Sequence, residues 1–526
     1  MKKINLLDCT LRDGGYYNNW KFTSSEINNY ISSIGASNIK YLEIGFHFLE
    51  KNSEYGKCAY VNNKFIKNLK IKKNIKIAIM FNAVDFLKKR NLALRKLKKL
   101  FLTKEKLVDI VRVAVHLKDI KKIKPFLDYF KKHQIFTCLN LMQINTLKES
   151  ELRNSLRLIQ KWKNVNVFYF ADSFGNLTPK DVKNICKTIK KNWKKEFGIH
   201  SHDNCKLALQ NSITAFKNGA TWIDGTILGM GRGAGNVKTE DLLKYFKNYN
   251  FKPGAIKDLC SRDFLRLKKR YKWGPSSYYQ QAAKHNIHPT YIQYLLSDKS
   301  RYSKIEIKKS INNLAKIDSR GYDPLILENS VASDKNFKGK WNARNWCKNR
   351  YILILGQGDT LNTKENLLRV SKLLVEKKPI VLSLNINKAI PENYIDFYIT
   401  SNEARILVDH KFYFKYKKNF ILPRRVLKSF SKLDKQKSIF DYGVKIQKNS
   451  FNVFNNYAIL PTNLSFAYSI ALCIVGGAKN ISLAGFDGYG KNHKLQIQMN
   501  DTIKLIQNKY KNLKLHSITK TQYRLR

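Results

Sequence analysis

Two histidines one residue apart, in His200-Ser201-His202-Asp203-Asn204, follow the short apolar run 197–199. On a strand, side chains at i and i+2 share a face, so both imidazoles point the same way, as two ligands of one metal must. One buried and one solvent-facing histidine is the other reading of that spacing. A second cluster, Asp8-Cys9-Thr10-Leu11-Arg12-Asp13-Gly14-Gly15, ends a strand-like run in an acid, a base and a further acid, followed by two glycines. An Arg beside an Asp offers one cation for a substrate oxyanion and one carboxylate for a metal, and glycine lets backbone approach a ligand closely. The same residues also suit a surface turn. In the third cluster, Gly229-Met230-Gly231-Arg232-Gly233-Ala234-Gly235-Asn236, alternate glycines imply tight turns around a ligand, and Asn236 offers an oxygen to a cation.

These clusters need a scaffold that brings them together. Short apolar, β-branched runs recur at 4–7, 41–44, 75–81, 110–115, 136–142, 165–170, 197–200 and 221–227, with helix-compatible stretches such as 24–34 and 179–193 between them. Strands alternating with helices predict a parallel sheet, either closed into a barrel or open and doubly wound. Asp13, Glu43, Asp172, His200, His202 and Asn236 all fall at or just beyond the ends of these runs, where a barrel gathers its active site. The predicted architecture is α/β. It has an N-terminal (β/α)8 TIM barrel over 1–255, a helical extension over 256–332, a polar linker over 333–349 and a smaller open, Rossmann-like α/β domain over 350–526.

Together the three clusters resemble the metal-dependent aldolase and lyase superfamily that includes 4-hydroxy-2-oxovalerate aldolase, hydroxymethylglutaryl-CoA lyase and isopropylmalate synthase, over about residues 4–300. The resemblance implies that Asp13, His200 and His202 hold a divalent metal, with Asn236 as a further ligand, and that Arg12 stabilises an enolate. Glu43 would orient Arg12 or form a structural salt bridge. Oxygen and imidazole ligands suit Mn or Mg, with Zn also compatible. The lyase's reactive Cys is replaced by Gly231-Arg232-Gly233, and the synthase loop survives only as Ala234-Gly235-Asn236. The pyruvate aldolases match best, including Trp273-Gly274-Pro275, but where they place an acid/base His this chain has Tyr16. A Tyr with a pKa of about 10 is chiefly a proton donor at neutral pH. His47, Tyr17, Tyr278 and Tyr279 are other proton carriers, each also suited to a structural role.

A second alternating series starts at Tyr351 and continues at 380–384, 397–400, 420–422 and 481–484. Gly356 and Gly358 follow its first strand in Leu355-Gly356-Gln357-Gly358-Asp359-Thr360, and Asp487 follows its last. This layout suits a nucleotide or nucleotide sugar at a helix N-terminus, although a tight strand-to-helix turn explains the glycines equally. By fold-level analogy it loosely resembles domains of surface-polysaccharide enzymes.

The formal charge of +59 is spread along the chain, so the basic stretches are read as solvated helix faces and not as a nucleic-acid site. That field favours anionic substrates. Eight scattered cysteines form no metal module or disulfide framework. No apolar run reaches the roughly 18 residues of a membrane span. The expectation is a cytoplasmic homo-oligomeric lyase, an aldolase joining or cleaving a 2-oxo acid and an aldehyde, with a polysaccharide sugar as one destination and a separate partner enzyme compatible. An acyl-CoA condensing enzyme and a non-catalytic barrel scaffold are the alternatives.

Overall fold

The structure is a computed structural model, and it describes residues 2–101, 107–297, 304–323, 326–327, 330, 337–386, 390–401, 418–423, 439–447, 449–489 and 494–525. The chain divides into two compact units. One comprises Met1–Lys299 with Leu314–Tyr322, and the other Ser300–Asn313 with Asp323–Arg526.

In the first unit, strands β1 (Asn5–Asp8), β2 (Tyr41–Phe46), β3 (Lys76–Asn82), β4 (Ile110–Val115), β5 (Phe136–Leu141), β6 (Val167–Asp172), β7 (Glu196–Ser201) and β8 (Trp222–Gly225) close into a parallel barrel in sequence order. Closure rather than an open sheet is settled by β1 pairing with β8, Asn5 opposite Trp222 through Asp8 opposite Gly225. Each strand obeys period two. Leu42, Ile44, Val111, Val113, Leu139, Phe168, Phe170, Ile199 and Ile223 pack in the large core shared with the helices. Residues of the other parity form a separate cluster of Leu7, Ala78, Ile110, Cys138, Val167, Tyr169 and Trp222. Two residues further along, the same face turns polar: Tyr41 is followed by Glu43, Ile110 by Arg112, and Trp222 by Asp224, and these three acids and bases are all buried. Gly198 supplies the gap that this filling requires, since a Cβ there would lie 2.7 Å from both Tyr169 and Trp222.

Helix starts are written locally. Thr23 and Glu26 form a reciprocal capping box for the helix Ser24–Ala36, and Thr178 with Asp181 does the same for Pro179–Asn192, where Pro179 occupies the first turn. After the barrel come short helices at Gly254–Leu259, Leu265–Tyr271, Ser277–Lys284 and Pro289–Ser297.

The second unit has a seven-stranded parallel sheet in the order β13-β12-β11-β10-β9-β17-β18, built from β9 (Tyr351–Leu355), β10 (Ile380–Leu384), β11 (Phe397–Ile399), β12 (Asn419–Ile421), β13 (Ile439–Phe440), β17 (Asn480–Ala484) and β18 (Leu515–Ser517). Strands β14 (Gly443–Ile446), β15 (Asn452–Phe454) and β16 (Tyr457–Leu460) form a small separate sheet. Residues 339–343, within the stretch read as a linker, are part of this unit: the Gly339, Trp341 and Ala343 amides donate to Asn456, Asp441 and Asn455. Trp341 and Trp346 lie edge-on to Phe440 and Phe397. Residues 333–336 of that stretch lie outside the described residues.

Candidate active site

Asp8 anchors the first site segment. Its carboxylate accepts from the Thr10 amide at 2.9 Å and the Thr10 hydroxyl at 2.5 Å, and also from the Tyr30 and Thr239 hydroxyls. That fixes the turn Thr10–Asp13 at the carboxyl end of β1. His200 lies on β7, and His202 just beyond it pairs by an antiparallel bridge with Asn236 of the glycine-rich loop.

The structure brings Asp13, His200 and His202 together, all buried, with one ligand-type atom from each lying within 4.8 Å of the others. His200 Nε2 is 3.7 Å from Asp13 Oδ2, and Asn236 Nδ2 is 3.3 Å from His200 Nε2. Asp13 Oδ2, His202 Nδ1 and Asn236 Oδ1 are buried without a hydrogen-bond partner. Gly231 keeps this space open: a Cβ there would lie 2.1 Å from Asn236 Oδ1 and 2.8 Å from Asp13 Oδ2. Buried polar groups are ordinarily paired, so two orphaned oxygens at one glycine-lined gap, beside the clustered His200 and His202 rings, fit a bound cation.

Electrostatics agree with that fit. Burial opposes the charge on Asp13, yet Arg12 and the two imidazoles hold its carboxyl well below the usual range. Burial drives the His202 imidazole down to about 3 despite Asp13, so the ring is neutral with one nitrogen lone pair free to ligate. Burial likewise works against charge on His200, but Asp13 and Asp224 raise it overall.

Behind these groups runs a buried chain of charges. Arg12 donates from Nη1 to Asp13 at 2.5 Å and from Nε to Glu43 at 2.7 Å. Arg112 bridges Glu43 at 3.1 Å and Asp224 at 2.5 Å. Asp224 lies 2.8 Å from His200 Nδ1, closing the circuit. Asp224 therefore fixes the tautomer that leaves His200 Nε2 free for a metal. As metal ligands both imidazoles would be neutral, and three carboxylates against two guanidiniums then give the circuit one net negative formal charge.

Sequence reasoning missed Arg112 and Asp224. The signal was a charged residue inside an apolar strand, Ile110-Val111-Arg112-Val113 and Trp222-Ile223-Asp224. Tyr16 sits beside the site, its ring 5.0 Å from Trp20 and 5.5 Å from the Arg232 guanidinium, and burial raises its hydroxyl pKa. Tyr17 donates to the Gly233 carbonyl and Tyr279 lies 3.3 Å from the Tyr17 hydroxyl, which gives both tyrosines structural work. At the end of β6, burial lifts Asp172 to about 7 although the amides of Asn176, Leu177 and Gly175 oppose the shift.

The other three predicted residues meet in the second unit. Gly356, Gly358 and Asp487 line a 530 Å³ cleft at the carboxyl ends of β9, β10 and β17, with Asn385, Phe466 and Tyr489. Strand order reverses between β9 and β17, the usual place for a ligand crevice in an open α/β sheet. Asp487 faces inward to its own fold, accepting from the Thr360 amide at 2.9 Å and from its hydroxyl. A Cβ on Gly358 would lie 2.4 Å from the Asp487 carboxyl carbon, and one on Gly356 would lie 2.4 Å from the Gly485 carbonyl.

The family model described as HMGL-like matches residues 3–259. The crystal structure of the N-terminal domain of a provisionally assigned aldolase from Bacteroides vulgatus is 35% identical, with 55% of this chain and 96% of that one covered and a TM-score of 0.50. This chain belongs to the HMGL-like family. Among curated relatives of its HMGL-like part, 4-hydroxy-2-oxovalerate aldolase of Carboxydothermus hydrogenoformans is 27% identical over 258 residues, 48% of this chain and 74% of that protein. Oxaloacetate decarboxylase of Mycobacterium tuberculosis is 24% identical over 241 residues, 45% of this chain and 68% of that protein.

Proposed function

We propose that the barrel is a divalent-metal-dependent aldolase that makes or breaks the carbon–carbon bond between a 2-oxo acid and an aldehyde. The observation carrying this reading is the clustering of Asp13, His200 and His202, with unpartnered Asp13 and Asn236 oxygens at the gap kept by Gly231. Asp13, His200, His202 and Asn236 would hold a divalent cation, Mn or Mg by ligand type, which would supply Lewis acidity toward the oxygens of the oxo acid. The circuit's single net negative charge suits a dication together with a monoanionic substrate.

Arg12 holds its guanidinium in place through Glu43 and Asp13, and its Nη2 donates to no group among the described residues. That free donor stabilises negative charge on the enolate oxygen as the bond breaks, an effect worth a few kcal/mol for a prepositioned donor. Glu43 acts as a positioning residue between two arginines. Tyr16, protonated because it is buried, gives its proton to the aldehyde oxygen in the joining direction. The relation to an oxaloacetate decarboxylase fits the same enolate, with carbon dioxide leaving in place of an aldehyde. For the second unit, the cleft at the switch point supports a nucleotide or nucleotide sugar as ligand, held away from the Thr360 amide that Asp487 already occupies.

The test is pyruvate release from 4-hydroxy-2-oxo acids by the Mn-loaded protein. Wild type releases pyruvate and Asp13→Asn loses at least a hundredfold in rate. Equal rates in the two proteins, or thiol release from acetyl-CoA without pyruvate release, overturn the assignment.

A further inference from the structure

We propose that Arg232 binds an oxyanion, a carboxylate or a phosphate, carried by the aldehyde partner of the 2-oxo acid. This rests on the aldolase reading and names its second substrate as anionic.

Arg232 follows Gly231, the residue packed against Asp13 and Asn236, so it stands at the rim of the candidate metal set. The loop that carries it is clamped. The Gly233 amide donates to Gln293 Oε1 at 3.1 Å, Gln293 Nε2 donates to the Tyr16 carbonyl at 2.7 Å, and the Ala234 amide donates to Asn204 Oδ1 at 3.1 Å. Left-handed φ angles of +69° at Gly233 and +93° at Gly235 set the turn. The backbone that carries Arg232 is therefore held in place, with the guanidinium over the Tyr16 ring.

Held there, the cation has no counter-ion. No carboxylate lies within ion-pair distance of Arg232 among the described residues, its Nε is buried without a partner, and its one polar contact is His288 Nε2 at 3.5 Å from Nη1. The titratable groups that sense it are His202, His288, His116 and Tyr16, and none of them is a carboxylate. A half-buried guanidinium without an acidic partner is an unbalanced charge, and such charges are kept where a ligand pairs them. Its five-donor fork matches a carboxylate or a phosphate.

The aldehyde side is favoured by Tyr16. The Arg232 guanidinium lies over the Tyr16 ring at 5.5 Å, next to the group that protonates the aldehyde oxygen, whereas Arg12 and the ligand set face the oxo acid. The chain's overall charge of +59 draws in any anion, but it is spread over 98 basic residues and cannot select one end of a substrate.

Mn-loaded wild type, Arg232→Gln and Arg232→Lys are compared for condensation of pyruvate with glyceraldehyde, succinic semialdehyde and glyceraldehyde 3-phosphate. Wild type is expected to prefer one anionic aldehyde over the neutral one, the two anionic arms separating carboxylate from phosphate. Arg232→Gln should lower that preference in kcat/KM at least tenfold, and Arg232→Lys should restore part of it. A preference absent in wild type, or unchanged in Arg232→Gln, overturns the proposal. Calorimetry with inorganic phosphate reads the anion site without turnover, with at least tenfold weaker binding expected for Arg232→Gln and equal binding counting against it. Deuterium exchange into the pyruvate methyl group by wild type, with no aldehyde present, reports on the aldolase assignment alone. Its absence beside Arg232-dependent phosphate binding would sink that assignment and leave the anion site standing.

Discussion

The circuit Asp13, Arg12, Glu43, Arg112, Asp224 and His200 makes its members interdependent. Removing the Arg112 cation leaves Glu43 with Arg12 alone and Asp224 with only His200, both buried away from water. Arg112→Met is therefore expected to cost about 3–5 kcal/mol of unfolding free energy, measured by urea titration. Asp224→Asn keeps an acceptor for His200 Nδ1 but loses the charge that raises the ring's basicity. Its Mn affinity should fall roughly 10- to 100-fold with the fold retained, as isothermal titration and circular dichroism would show. Asp13 and the His pair were legible in the sequence because their spacing is local and their residue types are rare on apolar strands. The partners behind them were not, since pairing Arg112 with Asp224 across 112 positions requires knowing that β4 and β8 point into one lumen. His47 carries a separate acid sensitivity. Its Nδ1 lies 2.6 Å from the Val61 carbonyl, and burial lowers the ring to about 4. The unfolded ring titrates near 6.5, so between pH 6.5 and 4 the unfolded state binds the extra proton and stability falls with pH. His47→Gln should flatten that acid limb by up to about 3 kcal/mol between pH 7 and 4 in urea titrations.

At the level of elements, the eight strand runs were readable because each alternates a helix-facing aliphatic residue with a lumen-facing one, a pattern carried by about six residues and independent of distant context. In the second unit, strands of two or three residues are too short for a period to show: β11 and β12 were legible only as short apolar runs, and β13, β15 and β18 not at all. The loop after β8 depends on backbone room more than on side chains. Gly231→Ala places a methyl group where Asn236 and Asp13 aim their unpartnered oxygens. Mn affinity should fall at least tenfold while the thermal midpoint changes little, because the displaced groups belong to the ligand set and not to the core. Gly45 gives the opposite outcome. It sits at φ +151° in the irregular part of β2, and a Cβ there would lie 1.9 Å from the Cys58 carbonyl. Gly45→Ala should cost stability of about 2–3 kcal/mol in urea unfolding through backbone displacement.

Across the whole molecule, the chain passes from the barrel unit into the second unit, returns for Leu314–Tyr322, and leaves again at Asp323. No pattern in the residues marks this return, since 256–332 reads as one helical stretch. The returning segment is bonded into the barrel unit: the Ser319 carbonyl accepts from the His288 amide at 2.9 Å, the Gly321 carbonyl from the Tyr291 hydroxyl at 2.8 Å, and the Arg320 carbonyl from Gln143 Nε2 at 2.8 Å. Tyr322 stacks on Tyr294 with ring centres 5.3 Å apart. His288 and Tyr291 belong to the same helical region as Pro289 and Gln293, which pack against or bond to the loop that carries Arg232. Loss of the returning segment should therefore reach the site without touching it. A chain ending at Lys299 is expected to unfold several degrees lower than one ending at Asp323, three hydrogen bonds at about 1 kcal/mol each plus the ring stack setting the scale. In the same pair, Mn affinity should change less than phosphate affinity, because Asp13, His200 and His202 hang from strand ends while Arg232 hangs from the clamped loop. Equal thermal midpoints by scanning calorimetry would show that Leu314–Tyr322 adds nothing to the barrel unit.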